Sequence, residues 1–196
     1  MKPVITLVIG GARSGKSSFA QRLAAESGTN ITYVATADAG DPEMAARIND
    51  HRERRPKEWK TWEGNISDLP REIKKLAGED CVLMLDCLTM YITGLFLTNP
   101  KSQSEDISEW SEAEEVILDR VREIFSGFMD SGNGQKRLIA VSNEVGSGVV
   151  PAFPMGRRFR DLQGRVNQIA AKSAHEVALI VAGIPLWLKS RDAGDM

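Results

Sequence analysis

Glycines, a lysine and a serine stand at the end of the first apolar segment, in the sequence GGARSGKSS. Gly10 is followed after four residues by Gly15, Lys16 and Ser17. This spacing is typical of a phosphate-binding loop, in which backbone N–H groups surround phosphate oxygens, the lysine reaches the β- and γ-phosphates, and the hydroxyl ligates Mg²⁺. The pattern predicts that a nucleoside triphosphate binds at Gly10, Gly11, Ala12, Arg13, Ser14, Gly15, Lys16 and Ser17.

Two carboxylates are placed to complete a metal site beside this loop. Asp86 ends the apolar run VLMLD, and Glu144 follows the run that ends at Asn143. Ligands of open α/β proteins bind where the carboxyl ends of strands meet, so both side chains are candidates. We assign Ser17 and Asp86 as the Mg²⁺ ligands. A simple cap of the following helix is the alternative role for Asp86.

A basic segment, DHRERRPKEWK, surrounds one of the two histidines of the chain. Asp41 and Pro42 predict the start of a helix, and Pro56 predicts its end near Arg54. In one interpretation His51 packs at the edge of the core and the arginines form a solvated face. In the other, the arginines hold phosphate charge while the imidazole acts on phosphorus. The residues leave open whether His51 is a nucleophile, a general base or a hydrogen-bond donor.

Apolar runs alternate with segments of helical spacing along the rest of the chain. Strands are predicted over residues 4–9, 31–36, 81–86, 137–142 and 176–183. Helices are predicted over 17–26, 43–54, 65–76, 88–97, 108–129 and 158–174, and loops over 98–106 and 131–135. The alternation predicts an α/β fold with a mainly parallel central sheet flanked by helices. We expect one nucleotide-binding catalytic domain over residues 1–196.

The composition excludes several other classes of protein. A net charge of −2 and 42% hydrophobic residues do not fit a disordered chain or a general nucleic-acid binder. No apolar run approaches the roughly 20 residues of a membrane span, which predicts a cytoplasmic protein. The only cysteines, Cys81 and Cys87, are too few for a disulfide framework or a zinc site, so we expect them in the core.

Four blocks in this order make the sequence similar to one known family. They are GGARSGKS, YVATADAGDPEMAARINDHRERRPKEWKTWE, LDCLT, and NEVGSGVVP followed by RRFRDLQGRVNQIAA. The chain resembles the bifunctional adenosylcobinamide kinase and adenosylcobinamide-phosphate guanylyltransferase family of cobalamin biosynthesis. The resemblance extends over nearly the whole chain. It implies a P-loop NTPase fold of the RecA-like type and assembly as a homotrimer.

The resemblance also implies a reaction in two steps. A nucleoside triphosphate, ATP or GTP, phosphorylates adenosylcobinamide, and GMP from GTP is then transferred to the new phosphate. The catalytic residues would be Lys16 and His51, which matches the histidine that carries a covalent guanylyl group in the family. Further nucleotide contacts would come from Ala35, Thr36, Ala37, Arg52, Glu53, Arg54, Arg55, Glu63 and Asp86. Glu63 is our candidate partner for the guanine N1 and N2 donors.

Two other functions fit the phosphate loop. A simple small-molecule kinase would use the arginine segment as a lid over the phosphates. A nucleotide-binding switch or assembly protein would bind a triphosphate with little turnover. His175 stands where the family more often has an acidic residue, just before the last predicted strand, and we interpret it as structural.

Overall fold

The carboxyl ends of parallel strands form the edge of the sheet at which the phosphate loop lies. In the computed structural model, which describes residues 3–37, 46, 49, 52–53, 55–132 and 134–190, seven strands form one sheet in the order β3-β2-β4-β5-β1-β6-β7. The strands are β1 Val4–Gly10, β2 Ile31–Ala35, β3 Lys60–Trp62, β4 Val82–Asp86, β5 Arg137–Asn143, β6 Glu176–Val181 and β7 Ile184–Lys189. All neighbours pair in parallel except β6 and β7, which are antiparallel.

The prediction of five strands was incomplete, and the last of them was too long. Strand β3 has only three residues and no apolar run, so hydrophobicity does not reveal it. The predicted strand 176–183 ends at Val181, because Ala182 and Gly183 adopt φ values of +50° and +81° and reverse the chain into β7. Hydrophobic runs therefore located the buried strands but not the two at the ends of the sheet.

Five helices cover the two faces of the sheet within the described residues. They are α1 Lys16–Ser27, α2 Leu69–Leu76, α3 Leu88–Thr98, α4 Ile107–Met129 and α5 Pro154–Ser173. The predicted helix 65–76 is divided into a 3-10 turn, Ile66–Asp68, and α2, and the predicted loop 98–106 contains a second 3-10 turn, Pro100–Gln103. Helix α5 begins four residues before its predicted start because Pro154 occupies the first helical position. Most of the predicted helix 43–54 lies outside the described residues.

Two apolar clusters bury the two faces of the sheet. The larger packs β1, β4 and β5 against α2, α3, α4 and α5, and its largest fully buried side chains include Tyr91 and Phe128. The smaller packs Ala20 and Ala24 of α1 on the opposite face. Cys81 and Cys87 are buried free thiols, as expected. None of the described helices is long and apolar enough to cross a membrane.

A buried lysine ties α2 to the start of β5. The Lys136 side chain is 3% exposed, and its Nζ donates to the Ala77 carbonyl at 2.9 Å and the Ser131 carbonyl at 2.8 Å. A third bond, at 3.2 Å, goes to the Ser131 hydroxyl. A buried charge of this kind is tolerated because each of its donors meets an oxygen.

We expect Lys136→Met to lower the free energy of unfolding by about 1–3 kcal/mol, because it leaves buried carbonyl oxygens without donors. Urea denaturation measures the change. Lys172, which is exposed on α5, provides the matched control, and Lys172→Met should change stability by less than about 0.5 kcal/mol. Equal stability of the two variants would contradict the structural role of Lys136.

Candidate active site

The phosphate loop joins β1 to α1, and its shape depends on two glycines. A Cβ atom at Gly10 would lie 2.6 Å from Ser14 Oγ and 2.7 Å from the Ile180 carbonyl oxygen, so no larger residue fits. Gly15 has φ +92°, in the left-handed region that favours glycine. Lys16 Nζ donates to the Gly11 carbonyl at 3.2 Å, which holds the ammonium group over the loop. The predicted loop therefore has the backbone that phosphate binding requires.

Neighbouring strand ends hold this loop in place. The Glu144 amide donates to the Gly10 carbonyl at 3.0 Å, and the Gly183 amide donates to the Ser14 carbonyl at 2.8 Å. The Ser14 hydroxyl oxygen is buried and has no hydrogen-bond partner within the described part of the chain, so a phosphate oxygen could accept from it. Gly183 was not among the predicted site residues, and its only signal in the sequence is the Ala-Gly pair after an apolar run.

Asp86 lies at the end of β4, where the sequence placed it. It is in register with Ala35 of β2 and Val141 of β5. The Tyr33 hydroxyl donates to Asp86 Oδ2 at 2.8 Å. Burial, followed by the nearby Asp86 charge, raises the Tyr33 pKa far above its ordinary value. Tyr33 therefore stays protonated and keeps donating to the carboxylate.

The loop after β2 is fixed to the end of β4. Thr36 is 3% exposed, and its hydroxyl donates to the Cys87 carbonyl at 2.7 Å and accepts from the Cys87 amide at 2.9 Å. The Thr36 amide donates to the Asp86 carbonyl at 3.3 Å. The Thr36 hydroxyl thus holds the two strand ends together. Nucleotide contacts of Ala35, Thr36 and Ala37 stay a prediction.

Glu63 forms ion pairs with arginines of the basic segment. Arg52 donates from Nε to Glu63 Oε1 at 3.3 Å and from Nη2 to Oε2 at 2.6 Å, and Arg55 Nη1 lies 4.0 Å from Oε1. Glu53 is exposed. His51 and Arg54 lie outside the described residues. The structure therefore brings Arg52, Arg55 and Glu63 together, and their nucleotide contacts stay a prediction.

Arg55 joins this cluster to Asp86. Its guanidinium carbon lies 3.6 Å from the centre of the Tyr33 ring, and Nη1 donates to Thr61 Oγ1 at 2.7 Å. The side chain is only 8% exposed, and its Nε has no hydrogen-bond partner among the described residues. A cation on an aromatic face is stabilised by the negative charge of the ring face. Contacts thus run from Arg52 through Glu63, Arg55 and Tyr33 to Asp86.

Glu144, the second candidate carboxylate, is occupied by its own loop. Its oxygens accept from the Gly146 amide at 2.7 Å and the Ser147 amide at 3.2 Å. Burial tends to raise the Glu144 pKa, but the hydrogen bonds from Ser147 and Gly146 outweigh it and lower the pKa. These contacts favour a structural role for Glu144.

The side-chain oxygens of Ser17 and Asp86 are suitable ligands for a magnesium ion. Hydroxyl and carboxylate oxygens are the hard ligands that Mg²⁺ prefers, and this ion takes its remaining ligands from water and phosphates. The described residues contain no cluster of three or more His, Cys, Asp or Glu that could hold a metal. A magnesium ion held by few protein ligands, and completed by nucleotide phosphates, suits this donor set.

Comparison with known proteins decides the family. The family model described as "Cobinamide kinase / cobinamide phosphate guanyltransferase" matches residues 6–188. This chain belongs to that family. The bifunctional adenosylcobalamin biosynthesis protein CobP of Pseudomonas aeruginosa is 40% identical over 183 residues, which cover 93% of this chain and 96% of that protein. CobU of Escherichia coli is 36% identical over 186 residues, covering 95% and 100% of the two chains.

Solved structures agree with the fold expected of this family. An ATPase from the type III secretion system of pathogenic bacteria is similar with a TM-score of 0.50 and 14% identity, over 91% of this chain and 50% of that longer one. A structure from Pyrococcus horikoshii has a TM-score of 0.51 and 10% identity, over 97% and 87% of the two chains. At such low identity the likeness concerns the fold alone. The shared fold is a mainly parallel sheet flanked by helices, as expected of a P-loop NTPase.

We expect Tyr33→Phe to weaken metal-dependent nucleotide binding, because Asp86 loses the donor that orients it. The Mg²⁺ concentration that half-saturates binding of GTP should rise about tenfold, as for other partners of metal ligands. Equilibrium dialysis with labelled GTP at increasing Mg²⁺ measures it.

Tyr91→Phe is the matched control, since the Tyr91 hydroxyl is buried and has no hydrogen-bond partner among the described residues. It should leave the Mg²⁺ dependence unchanged. Identical Mg²⁺ curves for Tyr33→Phe and the unaltered protein would show that Tyr33 does not orient a metal ligand.

Proposed function

We propose that this enzyme phosphorylates the aminopropanol hydroxyl of adenosylcobinamide with a nucleoside triphosphate. It then transfers GMP from GTP to adenosylcobinamide phosphate, which gives adenosylcobinamide-GDP and pyrophosphate. The observation that carries the proposal is the contact path from Arg52 to Asp86, which links the family's basic segment to the phosphate-loop edge of the sheet. A phosphate loop alone would support only the first reaction.

The kinase step depends on how the protein positions the phosphates and stabilises their charge. Backbone N–H groups of residues 11–17 and the Lys16 ammonium group bind the β- and γ-phosphates, so the γ-phosphorus faces the substrate hydroxyl. Ser17 and Asp86 would hold Mg²⁺, which neutralises phosphate charge when it is bound. The bond from the γ-phosphorus to the bridging oxygen breaks as the bond to the substrate oxygen forms. Either ATP or GTP can supply this phosphate.

The guanylyl step requires a nucleophile, and we assign it to His51. A neutral imidazole nitrogen attacks the α-phosphorus, the bond to the bridging oxygen breaks, and pyrophosphate leaves. The phosphate of the substrate then attacks the same phosphorus and releases the imidazole. Arg52, Arg54 and Arg55 would stabilise the charge on the phosphates. Both steps use the same phosphate loop.

Guanine recognition is assigned to Glu63, whose carboxylate can accept from N1 and N2 of the base. Arg52 now occupies this carboxylate through two hydrogen bonds. Guanine binding at Glu63 would therefore release Arg52, and the freed guanidinium group would be available to a phosphate. In this proposal guanine replaces Arg52 at the Glu63 carboxylate, and Arg52 then binds a phosphate of the same nucleotide.

A simple kinase is the alternative, and one observation favours it. Arg52 and Arg55 are engaged by Glu63, Thr61 and Tyr33, as expected of a lid that closes on the protein itself. Such a kinase would transfer only the γ-phosphate. A switch with little turnover is set aside because the family consists of enzymes.

Assembly as a homotrimer in the cytoplasm is part of the proposal. Strand β7 is an edge strand with exposed apolar side chains, including Ile184 and Leu188 at 69% and 60% exposure, and a second copy would cover such an edge. The buried free thiols of Cys81 and Cys87 suit a reducing compartment that also supplies nucleotides.

The test is covalent labelling with GTP that carries the label on its α-phosphate. We expect acid-labile, base-stable label on the protein in the presence of Mg²⁺, and we expect His51→Ala to lose it while γ-phosphoryl transfer is largely retained. The other histidine gives the control. His175 Nδ1 accepts from the Ile5 amide at 3.0 Å, at the opposite edge of the sheet, so His175→Ala should keep the label.

Two results would count against the assignment. Loss of both reactions in folded His51→Ala would contradict the division of labour between His51 and the phosphate loop. A protein that binds GTP and phosphorylates cobinamide without ever becoming labelled would favour the simple kinase.

A further inference from the structure

A group of apolar side chains lies exposed on the segment that connects β5 to α5. We call it the 149–156 surface, and it consists of Val149, Val150, Phe153 and Met155, together with Leu97 near the end of α3. Their exposed fractions are 96%, 61%, 78%, 51% and 54%, in that order. Single exposed apolar residues are ordinary, whereas a group of this size marks a binding surface.

A pocket opens in this surface between α3 and α5. It has a volume of about 290 Å³ and is lined by Thr93, Phe96, Leu97, Met155, Gly156 and Phe159. The pocket is too small to enclose a large ligand, but it can take one apolar edge of it. Leu97 and Met155 of the surface line this pocket, and Phe153 is the N-cap of the helix that carries Met155.

Specific contacts hold the segment in this shape. Arg157 Nη1 donates to the Pro151 carbonyl at 3.0 Å and to the Ala152 carbonyl at 2.7 Å. Gly156 lies so close to Pro151 that a Cβ atom would come within 2.9 Å of the proline ring. The apolar side chains are therefore presented by a folded loop and by the first turn of a helix.

The 149–156 surface begins next to the phosphate loop. Its segment starts at Glu144, whose amide bonds to Gly10, and α3 starts just after Asp86. Thr89 Oγ1 accepts from the Asn143 amide at 2.8 Å, which fixes the start of α3 to the end of β5. At a rise of 1.5 Å per residue, Leu97 lies about 12 Å along α3 from Thr89. The pocket residues from Thr93 to Leu97 thus lie about one to two helical turns along α3 from Thr89, whose end of the helix is joined to the strand ends beside the phosphate loop.

We propose that the 149–156 surface binds the corrin ring of the substrate. The inference rests on the proposed function, which requires that a hydroxyl on a short aminopropanol arm reach the γ-phosphate. The body of the substrate must then lie within the length of that arm from the phosphate loop. A corrin macrocycle carries apolar ring carbons and methyl groups between its polar amide arms, and this surface offers exposed apolar side chains for them.

The other exposed apolar group, on β7, is suited to a different partner. Edge strands carry unpaired backbone donors and acceptors, which favour another strand. The 149–156 surface has a pocket and no edge strand. A ligand with an apolar edge therefore fits the 149–156 surface better than it fits β7.

Two substitutions can make this surface polar without destabilising the fold. Phe153 is the N-cap of α5 and Met155 lies in its first turn, and neither side chain makes a cap hydrogen bond. Aspartate stabilises a helix at both positions. Phe153→Asp and Met155→Asp should therefore fold at least as stably as the unaltered protein. Val116→Asp is the control, because Val116 is 56% exposed on α4 and does not line the pocket between α3 and α5.

We expect KM for cobinamide in the kinase reaction to rise roughly tenfold or more in both variants, the loss that follows when one apolar contact is replaced by a charge. KM for GTP and covalent labelling by GTP should stay within twofold of the unaltered protein. Equilibrium dialysis of cobinamide, read by its visible absorbance, should show the same loss of affinity. Val116→Asp should change none of these values.

Three results would overturn the proposal. If both variants keep the KM for cobinamide while the unaltered enzyme phosphorylates it, the corrin ring binds elsewhere and the proposed function stands. If sedimentation shows that Phe153→Asp changes the oligomeric state, the surface belongs to a second copy of the chain. If the unaltered protein neither binds nor phosphorylates cobinamide, the proposed function fails together with this inference.

Discussion

The close packing of Gly10 is the constraint on which the rest of the site depends. Its Cα faces Ser14 Oγ and the Ile180 carbonyl so closely that a single methyl group would not fit. The same residue pairs with Asn143 of β5 and Ile180 of β6, and its carbonyl accepts from Glu144. One glycine thus joins three strand ends and the phosphate loop. A loop of backbone amides binds phosphate only when the loop has a fixed shape. Every chemical role at that edge therefore depends on this packing.

A second set of contacts joins the basic segment to that edge through an aromatic ring. Two arginines share one carboxylate, and one of them lies on a tyrosine whose hydroxyl holds the strand-end aspartate. Ion pairs and cation–aromatic contacts each contribute only modest stabilisation in water. Arg55 and Tyr33 are largely buried, and burial strengthens such contacts. In the proposed function, a nucleotide that binds at one end of this path would change the charge that the other end meets. This coupling suits an enzyme that meets a triphosphate and a base at one site.

Local pattern predicted the parts of the molecule that depend on neighbouring residues. The phosphate loop, the buried strands and Asp86 lie where the sequence placed them, because glycine spacing and continuous apolar runs are local signals. The contacts between Tyr33 and Asp86, and between Thr36 and Cys87, join residues 53 and 51 positions apart, so no spacing rule could reveal them. Strand β7 was not predicted because the last predicted strand, 176–183, was carried through Ala182 and Gly183, whose positive φ values form the turn into β7. The roles of His51 and Arg54 stay predictions, since both lie outside the described residues.

The central claim is that one phosphate loop serves both reactions, and Lys16→Ala tests it most directly. Rates of γ-phosphoryl transfer to cobinamide and of covalent guanylylation should be measured on the same folded variant, with GTP labelled at the γ- or the α-phosphate. Both rates should fall by about a hundredfold or more, because the ammonium group stabilises charge on the phosphates in each transition state. Guanylylation at the unaltered rate, with only the kinase step lost, would contradict the shared loop and require a second nucleotide site.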